Sequence, residues 1–344
     1  LSNDKGYIAK FLYVKTSVFL DHHEPKMKDG ILIFIDRSEK AARKLKKTLK
    51  GLVKLTRFDE YVYFVVITTL LGVASAGGDC NWRFFVLIPA NWLAVGFAFM
   101  INDVEDAPDD ALSKHKSNRN PVSAGLIPPK KARIATFIVG AFSAALFALL
   151  GLWPFIFGLI TLILGYLYSF RGIRLKTIAF FDILSHSLML AGLQFLCGYF
   201  TYANRLEKNW FWPFTFVVAV SIYGELYNEI RDIEDDRQAN LQHTAIVLGE
   251  RSTQILMFIM LGLGIFAGAV SLIVIEIIPL WVFLLMALLS ILFIVPKAIK
   301  IRRNDSSMAI QAALQKPFER AAALALLLQY LLPGLADLLK LNFL

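Results

Sequence analysis

Two short acidic stretches in the chain share one pattern. The first reads Asn102-Asp103-Val104-Glu105-Asp106-Ala107-Pro108-Asp109-Asp110, the second Asn228-Glu229-Ile230-Arg231-Asp232-Ile233-Glu234-Asp235-Asp236. Both fit N-[DE]-x-x-D-x-x-x-D. On a helix, positions i, i+3 and i+7 fall at 0°, about 300° and about 340°, which is one face. Asp103, Asp106 and Asp110 can therefore converge, and so can Glu229, Asp232 and Asp236. Pro108 makes the second turn of the first motif less regular. Six carboxylates brought face to face repel one another and call for cations. Hard oxygen donors of this kind suit Mg²⁺, which commonly bridges to substrate phosphates. An acidic loop lying in water is the bland alternative; two matching motifs, each led by an asparagine (Asn102, Asn228), argue against it.

Basic residues follow the acidic ones. Lys114, Lys116 and Arg119 come after the first motif, and Arg171, Arg174 and Lys176 come directly after Tyr168 and Ser169. Arg and Lys clamps neutralise phosphate charge. Lys114, Arg119, Arg174 and Lys176 are therefore the candidate diphosphate ligands.

The elements that must position these groups are apolar. Of 344 residues, 57% are hydrophobic and only 18% charged, with 28 Phe. A soluble fold cannot hide that much apolar surface, so the expectation is an all-α polytopic membrane protein. Nine segments have the length and composition of a membrane span, near Tyr61–Ala76, Phe84–Ile101, Ile134–Leu150, Trp153–Phe170, Ile178–Phe200, Trp210–Tyr227, Gln254–Ile275, Leu280–Val295 and Ala321–Leu339. With the N-terminus on one side, 32 of the 36 Lys and Arg fall on that side, leaving Arg83, Arg205, Lys208 and Lys340 on the other. The positive-inside rule makes the basic side cytoplasmic. Both motifs follow even-numbered segments, so both are expected at the cytoplasmic rim of a central cavity between the nine helices. An integral protein of the cell membrane is the expected location, and early lysines (Lys5, Lys10, Lys15) argue against a cleaved signal peptide.

Residues 1–57 read as a separate cytoplasmic region, with the transmembrane domain over 58–344. Asp36 and Glu39 have capping-box spacing, and Ala42, Leu45, Leu49 and Leu52 recur at helical spacing among Arg43, Lys44, Lys46, Lys47 and Lys50. That is a basic amphipathic helix suited to a membrane surface. The net charge of +9 is spread between apolar segments rather than over one soluble face, so nucleic acid is not an expected partner. Two isolated cysteines, Cys80 and Cys197, form no zinc or redox motif.

These motifs resemble the UbiA superfamily of intramembrane aromatic and lipid prenyltransferases. The first matches that family's N-D-x-x-D-x-x-x-D in full. Arg119-Asn120-Pro121-Val122-Ser123-Ala124-Gly125 is similar to its R-P-x-x-S-G stretch with an inserted Asn and an extra Ala. Tyr168-Ser169 with Arg174-Leu175-Lys176 is similar to its Y-S-x-x-x-L-K segment, and Arg231 to Asp236 with Thr244, Leu248 and Gly249 to its second acidic stretch. The resemblance covers roughly Leu55 to Leu339. Glu229 stands where Asp is common, Asn240 where Gly is usual, and Phe58 in place of a Pro.

The resemblance implies transfer of a prenyl group from an isoprenyl diphosphate to a lipophilic acceptor in the bilayer. It implies two Mg²⁺ ions held by Asn102, Asp103, Asp106, Asp110, Asn228, Glu229, Asp232 and Asp236, with Asp103, Asp106, Asp110, Asp232 and Asp236 catalytic. Tyr168, His186, Tyr223 and Tyr227 would line the pocket for the allylic cation and acceptor, by ring faces in the case of the tyrosines and by acceptor orientation or proton removal in the case of His186. Asn91, Ser185, His186, Gln194 and Glu225 are polar groups inside apolar segments, which tend to face a cavity or one another. A terpene cyclase of the same family shares the ionisation step. A cation-coupled transporter would need its charges near the midplane rather than at one rim. The D-G-x-x-A-R string of intramembrane phospholipid phosphotransferases does not occur.

Overall fold

The structure is a computed structural model describing residues 25–112, 114–207, 209–238, 241–301 and 307–338. Among the described residues every regular element is a helix. The chain divides into two compact units, Leu1–Gly51 and Leu52–Leu344. In the first, the basic run lies on helix α1 (Pro25–Leu55). This helix starts well before Asp36, so Asp36 and Glu39 are interior residues and not a capping box. Pro25 suits a first turn, whose N–H groups need no partner. Asp36 instead pairs with Lys40 at 2.7 Å and Glu39 with Arg43 at 2.7 Å, each one turn on.

The second unit contains α2 (Phe58–Ser75), α3 (Trp82–Asp110), the short α4 (Lys114–Arg119), α5 (Pro129–Leu150) and α6 (Leu152–Ser169). A loop with one 3-10 turn leads to α7 (Phe181–Ser187), which passes through a π-helical turn (Leu188–Gly192) into α8 (Leu193–Tyr202). Then come α9 (Phe211–Gln238), α10 (Thr244–Leu248), α11 (Glu250–Ala269), α12 (Leu280–Ala298) and α13 (Ser307–Leu338).

Seven helical stretches among the described residues are long and apolar enough to cross a membrane: Asp36–Ser75, Trp82–Asp110, Pro129–Leu150, Leu152–Ser169, Phe181–Tyr202, Glu250–Val274 and Leu280–Ala298. The sixth and ninth expected segments are helical too, as α9 and α13, without belonging to that set. Pro213, Tyr223 and Glu225 dilute the apolar run of α9, and the side chains of 334–338 at the end of α13 lie outside the described residues.

Helix α3 packs on α5 and α6, α2 on α8, α9 on α11, and α12 on α13. The core between them holds Leu70, Phe84, Leu87, Phe147, Phe195 and Tyr199. The outer faces are equally apolar, with Ile138 and Phe142 on α5, Phe258 and Ile265 on α11, and Leu284 and Ile291 on α12 all exposed. Such surfaces are stable only against hydrocarbon. Polar groups inside the bundle tie helices together. Asn91 donates to Thr69 Oγ1 at 2.7 Å and to the Gln194 carbonyl at 3.3 Å, joining α3 to α2 and α8.

Glycine sets the closest approach. Gly72 on α2 faces the carbonyl of Phe195, and Gly198 on α8 faces the carbonyl of Thr69, so a Cβ at either place would overlap backbone. Gly72→Val is expected to destabilise the protein by about 1–3 kcal/mol or more, read as a lower midpoint of thermal unfolding in detergent. Gly262→Ala, which meets nothing within 4 Å, should leave the midpoint unchanged or raise it.

Candidate active site

The first motif ends α3, and the helix runs unbroken through Pro108 to Asp110. Asp103 is buried. Its Oδ1 lies 3.5 Å from Arg57, which occupies the left-handed junction before α2 at φ 47°. Its Oδ2 is buried with no hydrogen-bond partner. Asp106 carries a base on each oxygen: Arg174 at 3.1 Å from Oδ1, and Lys176 on Oδ2. Lys176 also donates to Asn102 Oδ1 at 2.9 Å, which accepts from Ser169 Oγ at 3.2 Å as well. Burial pulls the Lys176 ammonium below its ordinary pKa, and the Asp106 carboxylate restores only part of that. Asp110 accepts from the Asn120 side chain at 2.9 Å, and that amide also donates to the Asp103 carbonyl at 2.7 Å.

Not every expected base meets the motif in the expected way. Arg119 pairs with Glu60 at 2.8 Å, and Glu60 is also held by Arg57. The Lys114 and Asp235 side chains lie outside the described residues. Arg171 reaches Asp109 at 3.0 Å and shares it with Arg174.

The second motif ends α9. Glu229 and Asp236 converge as the spacing requires, but on a histidine: His243 Nδ1 lies 3.2 Å from Glu229 and Nε2 lies 3.2 Å from Asp236. Burial disfavours the imidazolium, yet the two carboxylates outweigh it and raise the His243 pKa to about 10. Asp232 does not join them. It is 45% exposed and folded onto neighbouring Arg231 at 2.8 Å. Asn228, beside Glu229, is half-buried.

Two links join the motifs. Lys116 on α4 reaches Asp236 at 3.9 Å. Tyr168, next to the Ser169 that holds Asn102, donates to Glu225 at 3.1 Å, one turn before Glu229 on α9. His186 lies 3.2 Å from the other Glu225 oxygen. Tyr223 and Tyr227 pack with Ile183, Leu226 and Met257 in a small apolar cluster.

Asp182 and His243 escaped the sequence reading. Asp182 is buried and accepts from both the Thr244 backbone N–H and its hydroxyl at 2.5 Å. Glu229 in turn accepts from the Ala245 N–H at 2.9 Å. One atom each of Asp182, Glu229 and His243 lies within 4.8 Å of the others, a spacing compatible with a metal ion. Because both Asp182 oxygens are engaged, that residue braces the second motif. A lone Asp inside the apolar run 178–200 was the available signal. A metal fits the wider site on one direct observation: the buried Asp103 Oδ2 is orphaned among hard oxygen donors.

These features define a class, an all-helical integral membrane protein with paired acidic motifs gathered by basic loops. The chain belongs to the UbiA prenyltransferase family, whose profile it matches over residues 65–320. It is 31% identical over 192 residues to digeranylgeranylglyceryl phosphate synthase of Sulfolobus acidocaldarius, covering 54% of this chain and 64% of that protein. It is 27% identical over 221 residues to 4-hydroxybenzoate octaprenyltransferase of Saccharophagus degradans, covering 62% of this chain and 71% of that one. The fold is shared with a UbiA homolog from Archaeoglobus fulgidus solved with GPP and Mg²⁺, at a TM-score of 0.63 and 17% identity over 83% of this chain and 99% of the other.

Asp182→Ala strips two buried donors of Thr244 of their acceptor. An unmet buried donor costs about 1–3 kcal/mol, so the variant should unfold at a clearly lower temperature than wild type.

Proposed function

We propose that the protein transfers a prenyl group from an isoprenyl diphosphate to a lipophilic acceptor within the bilayer. The observation that carries this is the pairing of two acidic motifs, matched to the family over most of the chain, with Arg174 and Lys176 placed on Asp106. Asn102, Asp103, Asp106 and Asp110 with Asn228, Glu229, Asp232 and Asp236 are the residues that would hold Mg²⁺, two ions by the doubled motif. Bound there, Mg²⁺ neutralises the diphosphate and makes it a better leaving group.

The chain's own residues do the rest. Arg174 and Lys176 hold the carboxylates in place and turn to the diphosphate oxygens when it binds, with Lys114 and Arg119 alongside. Departure of the diphosphate leaves an allylic cation one turn deeper, near Tyr168, and Tyr223 and Tyr227 line the apolar approach. Asp232 leaves Arg231 to join Glu229 and Asp236, a change of side-chain rotamer rather than of backbone. We read the bundle as nine spans around a cavity, with α9 and α13 completing the seven, and both motifs at the cytoplasmic side. The distribution of Lys and Arg supports that orientation. Residues 1–57 form a cytoplasmic region whose basic helix suits anionic headgroups.

Asp103→Ala and Asp232→Ala should each cut Mg²⁺-dependent transfer of a labelled prenyl group at least about 100-fold; full activity in both ends the assignment. Cysteines placed at Leu112 and Arg205, both well exposed, should react with an impermeant thiol reagent from opposite faces of sealed vesicles. Labelling of both from one face would overturn the orientation.

A further inference from the structure

We propose that His186 is the base that takes the proton from a hydroxyl group of the acceptor, oriented by Glu225 and Tyr168. The proposal rests on the prenyl-transfer reading above and adds the group that completes the reaction.

Three half-buried polar side chains outside the acidic motifs meet where α6, α7 and α9 come together. Glu225 on α9 accepts from the Tyr168 hydroxyl at 3.1 Å through Oε1, and its Oε2 lies 3.2 Å from His186 Nε2. A carboxylate can only accept, so the pairing places the proton of a neutral imidazole on Nε2. The Nδ1 atom then carries the lone pair. Nδ1 is buried and has no hydrogen-bond partner. A histidine serving only to join helices has reason to satisfy both nitrogens. Here one is fixed by a carboxylate and the other kept open, the arrangement in which a carboxylate sets the tautomer and the ring orientation.

The position suits the task. Glu225 stands one turn, about 6 Å of rise, before Glu229, and Tyr168 adjoins the Ser169 that holds Asn102. The trio therefore lies just inside the diphosphate end, where C1 of a prenyl chain gripped by the motifs would sit. Space adjoins it. Gly224 is half-buried, yet a Cβ there would meet nothing within 4 Å. The backbone right after His186 is a π-helical turn, Leu188–Gly192, a device that re-aims the residues of a helix and concentrates at functional sites.

The chemistry selects the acceptor class. An aromatic ring attacks through carbon and sheds its proton only afterwards, from an acidic cation, so a weak base suffices. An alcohol oxygen becomes a stronger nucleophile as its proton is drawn off during attack, and a positioned imidazole is matched to that need. In the step proposed, the allylic C–O bond breaks with its electron pair leaving on the diphosphate. A lone pair of the acceptor oxygen forms the new C–O bond. The hydroxyl proton passes to His186 Nδ1, and the resulting imidazolium, paired with the Glu225 carboxylate, releases it to water in turnover.

The test separates ionisation from transfer. Purified full-length protein with Mg²⁺ is given geranylgeranyl diphosphate labelled with ¹⁸O at the bridging oxygen. Without acceptor, exchange of the label into non-bridging positions reports ionisation. With a glyceryl phosphate bearing one prenyl ether and one free hydroxyl, product formation reports transfer. His186→Ala should keep exchange and lose about 10²–10³-fold in kcat for transfer, with KM for the diphosphate unchanged and partial rescue by added imidazole. Glu225→Gln should keep exchange and lose less. Asp103→Ala should lose both, and if it keeps both the prenyl-transfer reading fails separately. Wild-type transfer by His186→Ala, loss of exchange in that variant, or wild-type transfer to 4-hydroxybenzoate but not to the hydroxyl probe would each overturn the proposal.

Discussion

The structure turns on the cost of gathering carboxylates in a protein surrounded by hydrocarbon. Each desolvated charge costs several kcal/mol unless it is paired. Asp103, Asp106, Asp110, Glu229 and Asp236 lie in or near the bundle, so the segments around them are organised to supply counter-charge. Arg57 arrives from the junction before α2, Arg174 and Lys176 from the loop after α6, and His243 from the segment after α9. These sources are distant in sequence. The fold brings them to one end, and the acidic motifs give it a reason to.

The segment from Tyr168 on α6 to His186 on α7 carries most of that burden. It starts at a tyrosine on Glu225, continues through a serine and a lysine on Asn102, and places an arginine and a lysine on Asp106. It then presents Asp182 to Thr244 beyond the second motif, and ends at His186. Because α6 and α7 supply the two ends of this segment, the packing of α6 on α3 and of α7 on α9 fixes both motifs relative to it. The same contacts that bury apolar area thus hold charged groups a few ångströms apart.

The shared helix face of the first acidic motif was legible because it depends on local spacing. Asp103, Asp106 and Asp110 share one helix face by spacing alone, and Arg174 and Lys176 stand in a recognisable string. Convergence of Glu229 and Asp236 followed from the same rule, but the direction of Asp232 did not. A side chain beside its own neighbour Arg231 has a cheaper partner than the face its spacing assigns. His243 and Asp182 were missed for a different reason: His243 lies seven residues beyond its motif, and Asp182, though conspicuous as a lone acid in an apolar run, shows its partner only through tertiary contact. The expected apolar segments lie on helices, while the sixth, diluted by Pro213, Tyr223 and Glu225, falls short of a plain membrane span. The start of α1 was misplaced because Asp36 and Glu39 fit a cap and equally fit pairs with Lys40 and Arg43.

The contact of Gly72 with Phe195 and of Gly198 with Thr69 brings two main chains together with no side chain between them. Side chains act as bearings: they swap rotamers and let neighbouring rods slip. A seam without them behaves as a weld. The α2–α8 pair therefore forms the stator of the bundle, and any parting of helices that admits a long lipid tail is left to the elements whose surfaces interlock less closely.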